Sequence, residues 1–442
     1  MLAEEAVKKA IKQGATEAEA YQVEETSIQV QFNSEDKNIK TTISKGLGVR
    51  VSFGKRIGLY STTIIDESEI DEVINRACKI AKASPEDPDW VSFNQKFGSS
   101  EVKGLDDSRI YSLGPGDLVE RIDSAIELID DYDDSVKASS GILASSYDKV
   151  TLTNSSQEEL TKNSTGIYGY ILANGVDGEK HCNGTDFDSS RQLSDFSYDK
   201  IAHNASERAH KFLDAHQIQG GEMPVIIRNK VFGSIMGVML KSAINADFVQ
   251  KGSSPLTDKI NKEIAADEIN ITDNGMLNGG INSQPFDDEG HQTQKTAIIK
   301  EGILRNYIYD HYTAQKDQTE STGNGSRSYK SPVKPSVSNL ILHEEGVNVE
   351  ELIEDTRKGI YIESVIGEWL SNTVSGELNA TVTHGYLVEK GEFSKPVKGL
   401  VIAGNFYDIL KTGITGSGND TANNNGIYSP TVKISKLFVA GK

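Results

Sequence analysis

Two kinds of hydrophobic periodicity alternate along the first half of the chain. Apolar residues three and four positions apart predict amphipathic helices, and strict alternation of apolar and polar residues predicts strands with one buried face. Such patterns predict helices at residues 2–12, 66–81, 117–132 and 199–215. They predict strands at residues 21–23, 28–32, 48–53, 57–62, 150–153 and 168–172. We therefore expect a sheet that is flanked by these helices.

The pattern changes near residue 220. Residues 217–221 are polar and contain glycine, and the second half then carries one clear helix, at residues 229–249. Short apolar runs predict strands at residues 224–227, 296–300, 304–309, 339–342, 360–366, 385–389, 400–404 and 431–440. The sequence therefore predicts the α+β class. We expect an N-terminal α/β sandwich-like domain at residues 1–219 and a β-rich C-terminal domain at residues 220–442, with a curved or barrel-like antiparallel sheet.

Charge and cysteine content narrow the classes of function. The chain has 442 residues, with 46 basic and 65 acidic side chains and a formal net charge of −19. This excess of negative charge disfavours direct contact with nucleic acids or anionic membranes. The first residues lack the features of a secretory signal, and no window approaches the ~20 apolar residues of a membrane helix. Because two cysteines, Cys78 and Cys182, cannot form a disulfide framework, we expect a cytoplasmic protein.

Candidate metal ligands and nucleophiles are sparse. None of the eight histidines lies four or five residues from another, as a zinc-protease helix requires. Cys182 directly follows His181, but adjacent residues on a strand point to opposite faces. Residues 287–291 could hold a cation through oxygen ligands or orient the backbone, and residues 419–420 could cap a loop. We favour structural roles for both segments.

A series of short motifs follows in order along the second half. The motifs lie at residues 247–256, 271–275, 286–290, 299–304, 321–325, 416–420 and 429–432. Their order and spacing resemble those of the TldD/PmbA family. The first half is similar to the family through residues 48–51 and 85–87, so that the resemblance spans essentially the whole chain.

This resemblance has a specific consequence for the helix predicted at residues 229–249. In the TldD branch of the family, that helix carries a His-Glu-x-x-x-His motif, and a cysteine near the C-terminus completes the zinc site. The corresponding positions here are Gly237, Val238 and Ser242, and no cysteine follows Cys182. The chain therefore resembles the PmbA/TldE branch. The resemblance implies that it has no catalytic residues and binds no cofactor or metal of its own.

The resemblance also implies a function and partners. PmbA/TldE chains pair with a TldD-like catalytic subunit, and the pair degrades or processes unstructured peptides. We therefore expect a heterodimer, or a homodimer that mimics it, with zinc in the partner subunit and a peptide as substrate. The motif residues that we expect to line a peptide groove or to have structural roles are Asp287, Asp288, Glu289, Gly290, Asn324, Asn419 and Asp420.

Two alternative functions stay open at the level of the sequence. The chain could itself be a divergent metallopeptidase with a different metal. The residues available for such a site are Asp287, Asp288, Glu289, His291 and His384. It could also be a regulatory protein that acts on DNA gyrase or on toxin–antitoxin systems, since some members of the family carry a name linked to gyrase control. The negative charge of the chain favours an indirect effect in that case.

Overall fold

The computed structural model describes residues 2–343 and 345–441. The first half of the chain is built on one long-stranded sheet. Its strands are β1 (Glu17–Phe32), β2 (Lys37–Phe53), β3 (Arg56–Thr62), β4 (Val136–Asn154), β5 (Gln157–Asp177) and β6 (Lys180–Ser190). They are antiparallel and lie in the order β3-β2-β1-β4-β5-β6. The prediction of separate strands at residues 21–23 and 28–32 is wrong, because both belong to β1. The polar residues 24–27 interrupt the apolar pattern but keep their pairing with β2 and β4.

Helices cover one face of this sheet. They are α1 (Leu2–Lys12), α2 (Glu67–Ala83), α3 (Ser108–Tyr111), α4 (Pro115–Asp130) and α5 (Tyr198–Lys211). Alternate residues of β1 point to opposite faces. Ala18 and Ala20 pack into the apolar cluster under α1 and α2, whereas Glu19 and Tyr21 contact Arg327 on the other face. The second half of the chain therefore packs on the face that the helices leave free.

The remaining strands form two larger sheets and a short ribbon. The strands are β7 (Gly221–Ile227), β8 (Asn270–Asn274), β9 (Lys295–Lys300), β10 (Ile303–Leu304), β11 (Gly325–Ser326), β12 (Lys334–Pro335), β13 (Leu340–His343), β14 (Lys358–Ile366), β15 (Glu377–Glu389), β16 (Glu392–Val397), β17 (Leu400–Asn405), β18 (Ile414–Ser417), β19 (Ala422–Asn424), β20 (Ile427–Ser429) and β21 (Val432–Ala440). Strands β14, β7, β21, β17 and β15 close into a barrel, and β10-β9-β8-β13-β20-β19 form an open sheet. The predicted α+β class with a curved or barrel-like sheet is confirmed, although the pairs β7–β14 and β13–β20 are parallel.

The core of the second half lies around one central helix. The helices of this half are α6 (Asn229–Leu240), α7 (Ala246–Gln250), α8 (His311–Lys316), α9 (Val349–Glu354) and α10 (Phe406–Asp408). Ile235, Met236 and Met239 of α6 are fully buried. They belong to an apolar cluster that includes Ile362 of the barrel and Ile271 of the open sheet. Helix α6 is therefore held by packing against both sheets.

The single helix predicted at residues 229–249 is wrong, because the chain leaves the helical path after Leu240. The backbone of the next segment forms hydrogen bonds with Ile308 instead. The N–H of Ile308 donates to the carbonyl of Ile244 at 2.8 Å, and the N–H of Ala246 donates to the carbonyl of Ile308 at 3.1 Å. A long-range backbone pairing thus competes with the local helical pattern and ends α6.

Two further expectations concern the second half and the whole chain. The strand predicted at residues 304–309 is wrong beyond its first residue, since only Ile303 and Leu304 pair with β9. Within the part of the chain that the structure describes, no helix combines the length and the apolar character that crossing a membrane requires. The domain boundary between residues 219 and 220 stays a prediction.

Candidate functional site

Gly237, Val238 and Ser242 are the residues that the sequence resemblance aligns with the zinc-protease motif, and the first two pack in or against the core. A β-carbon placed on Gly237 would lie 3.1 Å from Cγ1 of Ile427 and 3.7 Å from Cε of Lys241. The close packing of α6 on β20 therefore fills the space next to residue 237. Val238 packs against the apolar cluster, and Ser242 lies beyond the end of α6.

These three residues do not fit a zinc site. Zinc in proteins takes cysteine sulfur, histidine nitrogen or carboxylate oxygen as ligands. Glycine and valine side chains offer none of these atoms, and a serine hydroxyl is not among the usual ligands. In residues 2–343 and 345–441, no three His, Cys, Asp or Glu side chains are grouped so as to hold a metal ion. The geometry therefore gives this chain no chemical step that runs through zinc.

Asp287 holds the backbone of the loop in which it lies. Its Oδ1 atom accepts the N–H groups of Glu289 and His291, both at 2.9 Å, and its Oδ2 atom accepts the N–H of Gly325 at 2.8 Å. Burial and the neighbouring carboxylate of Glu289 raise the pKa of Asp287 above its ordinary value. A carboxyl group that is completely buried and bonded to three backbone amides fixes the loop, and both of its oxygen atoms already accept hydrogen bonds.

Asp288 and Lys162 connect the two halves of the chain. The ammonium of Lys162, on β5, lies 2.8 Å from Oδ1 of Asp288, and the N–H of Arg327 donates to Oδ2 at 3.0 Å. Burial alone would raise the pKa of Asp288, but Lys162 and Arg327 together outweigh it and hold that pKa below its ordinary value. This ion pair is therefore charged in the folded protein.

A second set of charged side chains also connects the two halves of the chain. Nη2 of Arg50, on β2, lies 3.2 Å from Oε1 of Glu289 and 2.8 Å from Oε1 of Glu19. Nη1 of Arg327 lies 2.6 Å from the same Glu19 oxygen. We call the following set the buried charge network: Glu19, Arg50, Lys162, Asp288, Glu289 and Arg327. Its three acids and three bases balance, which satisfies the requirement that buried charges be paired.

Gly290 and Asn324 complete the same region. Gly290 has a positive φ of 79°, and a β-carbon there would lie 2.5 Å from the ring of Phe97, so that no larger residue fits. The amide Nδ2 of Asn324 donates to Oδ2 of Asp273 at 2.7 Å and to the carbonyl of Ser336 at 2.9 Å. Burial raises the pKa of Asp273 to about 6. Both residues therefore stabilise the loops that pack against the first sheet.

Asn419 and Asp420 lie elsewhere, at the start of α6. Asp420 accepts the backbone N–H and the hydroxyl of Thr431, at 2.8 and 2.7 Å, and the side-chain amide of Asn229 at 2.9 Å. The N–H of Asn419 donates to the carbonyl of Val347 at 2.8 Å. The structure thus brings residues 287–290 together with Asn324 and separates them from this pair.

The polar face of the first sheet and the loops of the second half enclose a cleft of about 380 Å³. Its charged lining residues are Asp148, Lys162, Arg191, Lys241 and Asp288. Burial, and after it the carboxylate of Glu25, raise the pKa of Asp148 to about 6. Sequence patterns did not single out Asp148, Arg191 or Lys241. The one feature of the sequence that could have pointed to Lys241 is its position next to Ser242, just after the end of α6.

Cys182 contacts a histidine other than its sequence neighbour. Its Sγ atom lies 3.5 Å from Nε2 of His384, and both side chains are buried. Burial raises the pKa of the Cys182 thiol, and burial together with the charge of Arg208 lowers the pKa of His384 to about 4. Both groups are therefore neutral near pH 7, and the pair lacks the thiolate that a nucleophile needs.

Known proteins share this architecture and are similar to the chain in sequence. Residues 220–441 match the family model described as the PmbA/TldA metallopeptidase C-terminal domain, and residues 18–81 match PmbA/TldA metallopeptidase domain 1. The chain belongs to the TldD/PmbA family. The expectation drawn from the motifs of the second half is thereby confirmed.

Relatives occur across both branches of the TldD/PmbA family. An uncharacterized protein of Methanocaldococcus jannaschii is 27% identical over 408 residues, which cover 92% of each chain. Metalloprotease PmbA of Escherichia coli O157:H7 is 25% identical and covers 99% of this chain and 96% of its own length. A Metalloprotease TldD homolog of Buchnera aphidicola is 28% identical over 52% of this chain and 50% of its own.

Solved structures show the same fold over the whole chain. TldE from Thermococcus kodakarensis superposes with a TM-score of 0.91 at 22% identity and covers 100% of both chains. A Thermotoga maritima protein described as a candidate modulator of a DNA gyrase has a TM-score of 0.89 at 24% identity and covers 99% of both. At these identities, the likeness establishes the fold of the TldD/PmbA family and nothing further about activity.

Proposed function

We propose that this chain is the non-catalytic, PmbA/TldE-like subunit of a TldD/TldE-type zinc metalloprotease that degrades or processes unstructured peptides. The observation that carries the proposal is the chemistry at the end of α6. Gly237, Val238 and Ser242 replace the two histidines and the glutamate that hydrolysis would need. The packing of Gly237 against Ile427 supports a structural role for this helix.

In the proposed complex, only one of the two chains binds the metal. Zinc would be bound by a TldD-like partner subunit, and this chain would bind no cofactor. Relatives named TldD and a structural neighbour named TldE support a pairing of this kind. The heterodimer would act in the cytoplasm on peptide substrates, without direct contact with nucleic acids or membranes, and a homodimer is the alternative assembly.

The geometry offers less support for a divergent metallopeptidase. Asp287, Asp288 and Glu289 use their carboxylate oxygens for backbone amides and for the buried charge network. His384 contacts Cys182, whereas Nε2 of His291 lies 2.9 Å from Nδ1 of His311. These candidate ligands therefore do not converge on one site. A role in gyrase control would act through the proteolysis of another protein.

The experiment combines assembly with activity. The purified chain is mixed with the TldD-type subunit of the same organism and analysed by size exclusion with light scattering. We expect a one-to-one complex, with cleavage of an unstructured peptide by the mixture and no cleavage by this chain alone. Separate elution of the two proteins at micromolar concentration would contradict the proposed pairing. Metal-dependent cleavage by this chain alone would instead support the divergent metallopeptidase.

A further inference from the structure

The cleft between the two halves contains a lysine without an acidic partner. Lys241 follows the last residue of α6, is solvent-exposed and lines the cleft. Among the described residues, no carboxylate lies within ion-pair distance of its ammonium, and the partial enclosure of this side chain by the cleft lowers its pKa. A lysine that lines a cleft and has no counter-ion is available to pair with an anionic ligand that enters the cleft.

The second unpaired cation of the cleft is already fixed by neutral groups. Nε of Arg191 donates to the carbonyl of Gly280 at 3.1 Å, and Nη1 donates to that of Thr165 at 3.4 Å. Its Nη2 donates to the carbonyls of Ile281 and Ser283. These oxygens satisfy the hydrogen bonds of the guanidinium but do not neutralise its charge. Arg191 therefore adds positive potential to the cleft while Lys241 keeps its donors free.

The remaining charges leave the cleft with an excess of about one positive charge. Lys162 and Asp288 neutralise each other as an ion pair. Asp148 faces the same cleft, and its single negative charge offsets one of the two unpaired cations. A single excess charge matches a monoanion such as a carboxylate, whereas a phosphate group, with a charge nearer −2, would require a further cation.

The uncharged part of the lining suits a peptide. Side-chain amides and hydroxyls come from Asn163, Ser164, Asn282, Ser326 and Ser336. Such groups accept hydrogen bonds from peptide N–H groups and donate hydrogen bonds to peptide carbonyl groups. The volume of about 380 Å³ lies within the range of small-ligand sites, so that it accommodates the end of a peptide and not a folded domain.

We propose that this cleft binds the C-terminal carboxylate of an extended peptide, with Lys241 as its counter-ion. The inference deepens the proposed function, on which it rests for the class of substrate. Lys241 is thus a binding residue for the end of the substrate, at the same end of α6 where the catalytic branch places a zinc ligand. No covalent step is assigned to it.

The test compares two forms of one unstructured, fluorescently labelled peptide, one with a free C-terminal carboxylate and one amidated. Fluorescence anisotropy with the full chain alone should show about tenfold tighter binding of the free acid, as expected for a charge-assisted hydrogen bond. Lys241→Gln should remove this difference, and the matched control Lys79→Gln, an exposed lysine on α2, should keep it. Equal binding of both peptides to the wild type, or a preserved preference in K241Q, would overturn the proposal.

Two further comparisons distinguish a carboxylate from a phosphate as the bound anion, and distinguish failure of this proposal from failure of the proposed pairing. Acetate and inorganic phosphate are added as competitors, and stronger displacement of the free-acid peptide by phosphate than by acetate would overturn the assignment to a carboxylate. Because the binding measurement uses this chain without a catalytic subunit, its failure leaves the proposed pairing intact. Conversely, separate elution from a TldD-type subunit would not alter the preference for a free carboxylate.

Discussion

The buried charge network and the cleft share the ion pair of Lys162 and Asp288, and their other charged residues differ in one respect. In the network, Arg50 and Lys162 contact carboxylates on the other half of the chain, at 3.2 and 2.8 Å. In the cleft, Lys241 has no such contact among the described residues. The network has the charge balance of a structural link, whereas the cleft has the imbalance of a site that receives a ligand. Whether a charge has a partner therefore indicates its role better than whether it lies in a family motif.

The largest expected effect is a loss of stability when the buried charge network is broken. Arg50→Met removes the cation between Glu19 and Glu289 and leaves two buried carboxylates with fewer partners. Breaking a buried ion pair in this way costs about 3–5 kcal/mol of folding free energy. Urea denaturation of the full chain measures the loss. The matched control is Arg76→Met, because Arg76 pairs with Glu72 on the exposed face of α2.

The control should lose less than about 1 kcal/mol, as exposed ion pairs do. If Arg50→Met and Arg76→Met had equal effects on the free energy of unfolding, the network would not be a structural link. The comparison between network and cleft would then fail on its structural side.

The second prediction concerns a neutral member of the same packed region. Asn324→Ala leaves Oδ2 of Asp273 without the amide that donates to it at 2.7 Å. An unsatisfied buried acceptor costs about 1–3 kcal/mol. Denaturation by urea should show this loss, while Asn38→Ala, at an exposed position on β2, should have almost no effect. Similar stability of the two variants would assign Asn324 a role other than support of the loops.

The third prediction uses a buried group that has no counter-charge. Burial and the charge of Arg208 lower the pKa of His384 to about 4 in the folded protein, whereas this pKa is about 6.5 in the unfolded chain. Between these two pH values, the ring is neutral in the folded protein and protonated in the unfolded chain. The unfolded state then binds more protons, and stability is lost as the pH falls from about 6.5 towards 4. When the pH is lowered from 7 to 5, the free energy of unfolding of His384→Gln should therefore fall by about 1–2 kcal/mol less than that of the wild type.

Urea denaturation at several pH values measures this difference. Identical pH dependence of wild type and His384→Gln would show that the histidine titrates equally in both states. The Cys182–His384 pair would then not be the buried, neutral contact that the structure shows.

The smallest expected effect tests the cleft. Lys241→Gln removes a charge that stabilises no partner, and surface changes of this kind alter the free energy of unfolding by less than about 0.5 kcal/mol. Thermal unfolding should thus be almost unchanged, while the preference for a free-acid peptide is lost. A large loss of stability would mean that Lys241 has a structural partner and belongs with the network rather than with the cleft.

Local patterns predicted the local parts of this molecule. The helix predicted at residues 2–12 has the observed bounds of α1, and Asp66 caps α2 as its spacing to Glu69 predicts. The break after Leu240 could not be predicted, because the backbone there pairs with Ile308, which is distant in sequence. Local periodicity contains no information about such a partner.

The same limit applies to the candidate site. The motif at residues 286–290 could be found in the sequence, but its meaning depends on Arg50, which is 239 residues from Glu289. Lys241 and Arg191 have no motif of their own, and only the closure of the cleft brings them together. Sequence patterns therefore indicated where the loops of the site are, and the fold determined which charges are paired.

Under the proposed function, this chain contributes no metal to the proposed protease complex. This absence of metal is tested most directly by the zinc content of the purified chain, of the TldD-type subunit and of their complex, measured by inductively coupled plasma mass spectrometry. We predict zinc in the subunit and in the complex, and far less than one zinc per chain in the protein described here, because Gly237, Val238 and Ser242 supply no usual ligand. One tightly bound zinc per chain of this protein, together with peptidase activity in the absence of a partner, would contradict the account.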